Sequence, residues 1–118
     1  MIGFINVGLG GALGAVLRYA ISLIPYKQNF PLLTLITNVL GALLIGYITG
    51  IAVKKNISAN FTLFLKTGVC GGFTTFSTFS LEAYSLLKQG NYTVAALYVV
   101  ISVIGCLVGI CIGTRLAV

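Results

Sequence analysis

Apolar residues fill this chain in four long runs, and polar clusters separate them. The first covers residues 2–24 and has Arg18 in its interior; Pro25, Asn29 and Pro31 mark the turn that follows. The second, residues 32–53, is uncharged and stops at Lys54-Lys55-Asn56. The third extends from Phe61 to Leu87, and Gln89-Gly90-Asn91 turns the chain after it. The fourth, residues 92–114, is again uncharged and closes at Arg115. Runs of about 20 apolar residues match a hydrocarbon layer about 30 Å thick, so the pattern predicts four membrane-crossing helices.

The third run is not uniform. Gly71-Gly72-Phe73-Thr74-Thr75-Phe76-Ser77-Thr78-Phe79-Ser80 sets two glycines and five hydroxyl side chains into apolar surroundings. Backbone groups in lipid must be paired, so irregular polar chain is tolerated there only when buried in protein or lining a wet path. The block predicts a helix broken over 71–75, with a half-helix on each side, and something polar crossing the membrane beside it.

Composition agrees. Of 118 residues, 58% are hydrophobic and 7% charged, and mean hydropathy is +1.11. Soluble domains have about 25% charged residues, so this chain cannot cover itself with water. It reads as one four-helix transmembrane domain, residues 1–118, with no length left for a soluble domain. Residues 2–24 lack the basic start of a secretory signal and read as a retained helix. Cys70, Cys106 and Cys111 have no metal-ligand spacing, and there is no histidine, which argues against zinc. Cys70 and Cys111 are expected to be small buried apolar side chains.

The net charge of +6 sets seven basic residues against Glu82 alone. They are scattered, which does not suit nucleic acid. With four spans, Lys54, Lys55, Lys66 and Arg115 fall on one side; Lys27, Lys88 and Arg18 fall on the other. That near balance does not fix one orientation. Either a short chain gives poor statistics, or it inserts both ways and pairs with an inverted copy. Small-xxx-small pairs recur at Gly10/Gly14, Gly46/Gly50, Gly68/Gly72, Gly105/Gly109 and Gly109/Gly113. They predict a tight bundle with little room inside one subunit, so a conduction path is expected between subunits.

The candidate chemistry is uncharged. Phe76 and Phe79, three apart, share a helix face; they are either core or ring edges offered to an anion among Ser77, Thr78 and Ser80. Asn38, near Thr34 and Thr37, is either an interhelical hydrogen bond or a donor to an ion. Tyr98, Ser102 and Cys106 form a stripe on the fourth run, with back-bonding of the hydroxyl as the plain alternative. Neutral donors on three helices, with no acid at mid-membrane, suit an anion better than a cation. Arg18 either attracts anions to a vestibule or holds a helix end through its carbonyls. Glu82 is expected to pair with a lysine or arginine.

The chain resembles the Fluc (CrcB) family of fluoride ion channels over nearly its whole length. The resemblance is carried by Gly10-Gly11-Ala12-Leu13-Gly14-Ala15 leading to Arg18-Tyr19, by Thr34-Leu35-Ile36-Thr37-Asn38-Val39-Leu40-Gly41, and by Gly68 through Ser80 followed by Glu82. It implies an all-α antiparallel, dual-topology homodimer with two pores. It implies a passive channel, not an enzyme, that carries fluoride out of a microbial cell across the plasma membrane. Phe76, Phe79, Asn38, Ser77, Thr78, Tyr98 and Ser102 match the family's pore residues. The family's structural sodium ion carries over onto the carbonyls of Gly71 and Thr74 in both copies. Where relatives often have a serine one turn beyond Ser102, this chain has Cys106, a weaker donor. Two rivals stand beside this expectation. A proton-coupled exporter of the small multidrug type needs a carboxylate in its first helix, and this one has none. A non-transporting packing subunit needs no donors aligned on three helices.

Overall fold

The computed structural model describes residues 1–118, and every regular element in it is helical. Helix α1 spans Ile2–Ser22, and α2 spans Leu32–Lys55. Helix α3 is one rod made of Ala59–Thr62, a π-helical stretch Leu63–Cys70, and Gly71–Phe73. Helix α4 is Phe76–Lys88, and α5 is Tyr92–Leu116. Three of these, α1, α2 and α5, are long and apolar enough to cross a membrane. Neither α3 nor the 13-residue α4 covers roughly 30 Å of hydrocarbon alone at about 1.5 Å per residue.

Local chemistry sets the helix ends. Pro31, with its fixed φ and no N–H, leads into α2. Asn56 closes that helix in the left-handed region, φ 52°, a conformation asparagine tolerates. Ser58 caps α3 by accepting from the Phe61 amide at 3.2 Å. Gly90, φ 82°, turns the chain into α5.

Two seams hold the bundle. α1 lies along α3, and α2 lies along α5, with α4 leaning on α5. Glycine makes both seams close. A methyl group on Gly14 would strike the Val69 carbonyl and come within 2.7 Å of the Phe73 amide nitrogen; one on Gly72 would strike the Gly11 carbonyl. In the second seam, a methyl group on Gly113 would strike the Leu43 carbonyl, and one on Gly46 the Ile110 carbonyl. Water provides no driving force between helices in lipid, so this backbone-to-backbone contact is the main source of cohesion.

The outer surface is apolar. Phe4, Leu9, Val16, Val53, Leu107 and Leu116 are all exposed, and only 19 of 118 residues are buried, which fits a chain solvated by lipid. Cys70 is buried as expected, but Cys111 is not: its position on α5 faces outward. A small core of Phe79, Ala83, Leu86, Ala95 and Tyr98 joins α4 to α5.

The break in the third run is narrower than 71–75. Gly71, Gly72 and Phe73 remain helical, and only Thr74 and Thr75 leave the helix, with extended backbone at ψ 158° and ψ 123°. Gly72 serves the seam with α1, whereas Gly71 has no close neighbour there and lines the space beside the break. The π-helical stretch before it had no sequence signal; such stretches gather at functional sites.

Candidate functional site at the helix break

Asn38 organises the break. Its Oδ1 accepts from the Thr75 amide at 2.8 Å, and its Nδ2 donates to the Thr75 carbonyl at 3.0 Å. One side-chain amide thus satisfies both backbone groups of Thr75, one of the two residues that left the helix, which fixes which way the amide points. Thr75 in turn caps α4, its Oγ1 accepting from the Thr78 amide at 3.1 Å. Nδ2 has a second N–H that this pairing leaves free.

These bonds have a further effect. The amides that would close ordinary helical bonds to the Gly71 and Thr74 carbonyls are those of Thr75 and Thr78, and both are given to side chains instead.

Around the break lies a cavity of about 380 Å³. Asn38 from α2, Gly71 from α3, Thr74 and Thr75 from the break, Phe76 and Phe79 from α4, and Ser102 and Cys106 from α5 all line it. Ser102 is 5% exposed, and its Oγ has no hydrogen-bond partner. A buried unpaired hydroxyl costs about 1–3 kcal/mol, so its persistence beside a cavity calls for a ligand or water. The two rings sit 5.5 Å apart, centroid to centroid, but differ in setting. Phe79 is 9% exposed and packs on Tyr98, whereas Phe76 is 78% exposed at the cavity rim.

The other predicted residues lie nearby but not in this cavity. Thr78 and Arg18 line a second one, of about 260 Å³, with Thr34, Thr37 and Thr75. Glu82 lines a third, of about 420 Å³, again with Thr34. Thr75 therefore borders the first and second cavities, and Thr34 the second and third. Together they mark a hydroxyl-lined series leading from the break to the end of the bundle. Neither was among the predicted pore residues. Thr75 in particular had no signal apart from its place in the hydroxyl block, because its role depends on which residue leaves the helix. Ser77 is exposed, its Oγ 3.4 Å from the Thr75 hydroxyl.

The two charges resolve differently. Arg18 Nε donates to the Gly72 carbonyl at 3.1 Å, holding the end of α3. A bond from a charged donor, about 1.5–3 kcal/mol, offsets much of the roughly 2.5–3.5 kcal/mol that an arginine costs within a span. The expected basic partner of Glu82 does not supply its hydrogen bonds. Tyr98 Oη donates to it at 2.8 Å and Thr34 Oγ1 at 3.0 Å. Tyr98, fully buried, is thereby turned toward Glu82, and its hydroxyl is engaged there.

The family model described as CrcB-like protein, Camphor Resistance (CrcB), matches residues 5–114. The chain belongs to this family. Similar proteins called fluoride-specific ion channel FluC include one from Clostridium perfringens, 51% identical over 94% of this chain and 90% of its own. Another, from Ruminiclostridium cellulolyticum, is 45% identical over 99% of this chain and 93% of its own. A third, from Azobacteroides pseudotrichonymphae, is 45% identical over 85% of this chain and 84% of its own. Family membership and the three apolar helices make this CrcB-family chain a multi-pass membrane protein.

Proposed function

We propose that the chain is one half of a passive fluoride channel, and that α3 and α4 together form its fourth membrane crossing. The observation that carries this reading is the meeting of free neutral donors and aromatic rings in one cavity: the spare N–H of Asn38, the unpaired Ser102 hydroxyl and the Phe76–Phe79 pair. Relatives named as fluoride-specific channels cover nearly the whole chain, which supports the choice of ion.

Dehydrating a small anion in a low-dielectric medium costs tens of kcal/mol. By analogy with cation–π contacts, a ring edge returns about 0.5–2 kcal/mol, so the rings supplement the hydrogen-bond donors and retained water. Fluoride moves along the hydroxyl series, exchanging water for the Asn38 amide and the Ser102, Thr75 and Thr78 hydroxyls in turn. An inside-negative potential drives it outward at about 2.3 kcal/mol per 100 mV. Selectivity over larger halides comes from a narrow path whose donors cannot close equally well around them.

The second half is an inverted copy of the chain. The exposed Phe76 ring at the open rim of the cavity is the contact such a copy would cover. The Gly71 and Thr74 carbonyls, released from helical bonding, are hard oxygen ligands of the kind an alkali cation takes, so a structural sodium ion held by both copies fits the residues present. When bound, it supplies a fixed positive charge that favours entry of anions into the dimer. A proton-coupled exporter of the small multidrug type is disfavoured, because α1 has no carboxylate and the only acid, Glu82, lies on α4.

The test is fluoride efflux from liposomes containing the purified chain, followed with a fluoride electrode. Expected is fast, electrogenic efflux without a pH gradient, and its loss in Phe76→Ile with the dimer intact. Silence of the native chain would support a packing subunit, and unchanged efflux in the variant would remove the rings from the mechanism.

A further inference from the structure

Helix α2 has two working faces. Asn38, Gly41 and Ile45 line the central cavity; at about 100° per residue, Leu40, Leu44 and Tyr47 fall on the other side of the helix. Those three, with Leu17 of α1, Phe73 of α3 and Leu116 of α5, line a separate groove of about 410 Å³. Every residue lining it is hydrophobic, and the four leucines and Tyr47 are exposed. Its size is that of a pocket for a small organic ligand, roughly 300–1,000 Å³. In the dimer proposed above, Phe76 and the central cavity face the inverted copy, which leaves this groove to the membrane.

The grooved face of α2 continues to a basic end. Lys54 follows Tyr47 by two helical turns, about 10 Å along the axis, and so stands over the groove; Lys55 stands over Leu44 in the same way, three turns on. Both lysines are exposed. The end of α5 lies beside them, because a methyl group on Gly50 would come within 2.6 Å of the Ala117 Cβ. Arg115, in the last turn of α5, therefore belongs to the same end. The chain's one acidic side chain, Glu82, is bonded to Thr34 at the opposite end of α2 and neutralises none of the three. An apolar hollow below unneutralised cations is complementary to an amphiphile with a hydrocarbon tail and an anionic head.

We propose that the groove holds an acyl chain of an anionic phospholipid whose phosphate rests on Lys54 and Lys55, with Arg115 beside them. A zwitterionic lipid has the same tails, but its own ammonium group offsets the phosphate, so it is held less tightly. The groove takes one wall from the α1–α3 seam, through Leu17 and Phe73, and the other from the α2–α5 seam. A bound tail thus ties the two seams together and stabilises the folded chain by mass action. In an inverted pair, the two sites fall one in each leaflet. Binding does not rest on the fluoride reading.

The purified chain in detergent is stripped of lipid and incubated with phosphatidylglycerol or with phosphatidylcholine of identical acyl chains. Bound lipid is counted by native mass spectrometry, and thermal unfolding is followed in parallel. Expected is about one phosphatidylglycerol per chain, held about tenfold or more tighter than phosphatidylcholine, with a rise in unfolding temperature. The double variant Lys54→Gln, Lys55→Gln should lose that preference, in line with about fivefold per lysine at an anionic surface. The pair Lys27→Gln, Lys88→Gln, at the other end of the bundle, should keep it. Leu44→Trp, at an exposed position where the ring fills the groove, should reduce retention of both lipids. Leu40→Trp, on the same face, is made alongside, so that a folding failure in one leaves the other to be read. Equal retention of the two lipids, or an equal loss in the Lys27, Lys88 variant, overturns the anionic headgroup. Undiminished retention in the tryptophan variants overturns the groove. Loss of the dimer in those variants with lipid retention unchanged also overturns it, and assigns the groove to a second copy of the chain. Neither readout involves fluoride, so failure here leaves the channel reading standing.

Discussion

The seam between α1 and α3 and the break between α3 and α4 adjoin each other, yet they are built on opposite principles. In the seam, Gly10, Gly14, Gly68 and Gly72 remove side chains so that backbones meet directly. At the break, Asn38, Thr75 and Ser102 supply polar side chains so that the backbone can separate and leave a cavity. Gly72 and Thr74 are two residues apart and belong to different regimes. Small residues exclude everything from between helices; polar ones leave room and then pair whatever they expose. A channel needs both, because a cavity keeps its dimensions only when its walls cannot slide.

The largest effect should come from filling the seam. Gly14→Leu places a side chain against the Val69 carbonyl and the Phe73 amide, and no flexible neighbour can give way. Expected is no monodisperse protein in detergent, whereas the same change at Gly8, which has nothing within 4 Å, should be recovered normally. Next comes Asn38→Ala, which strands both backbone groups of Thr75 at about 1–3 kcal/mol each. Thermal unfolding in detergent should reveal that loss, and efflux should fall by tenfold or more. Thr75→Val removes only the cap on α4, about 1 kcal/mol, and should shift unfolding slightly while changing conduction more. Smallest is Tyr98→Phe, which frees one Glu82 oxygen but leaves the Thr34 bond. Its expected signature is a change in conduction rate with little loss of stability. If it destabilised more than Asn38→Ala, the divide between structural seam and functional break would lie in the wrong place.

Much of this was legible in the chain. Uncharged runs located α2 and α5, the glycine spacing located the seams, and the glycine and hydroxyl block at 71–80 pointed to a break in the third run. What escaped had physical reasons. The break was expected to begin at Gly71, although Gly72 was also read as a packing residue, because a glycine placed for close approach to Gly11 looks the same in sequence as one placed for freedom of φ. Glu82 was expected to find a cation, since charge is visible in sequence and the meeting of Thr34 and Tyr98 across helices is not. The unequal settings of Phe76 and Phe79 were equally hidden: spacing places two rings on one face but does not say where that face ends. Arg18 was open between two roles, and its bond to the Gly72 carbonyl favours the anchoring one.

The double grip of Asn38 on Thr75 resembles one rung of a β ladder transplanted onto a helix. Turning α2 by a single residue would swing that amide about 100° away and release both bonds at once. The lining and the scaffold behind it are thus geared together, so the recess cannot breathe to suit a bulkier guest. If that recess is the ion's path, as proposed, discrimination by size becomes a property of stiffness, held in two hydrogen bonds and a pair of methyl-free seams.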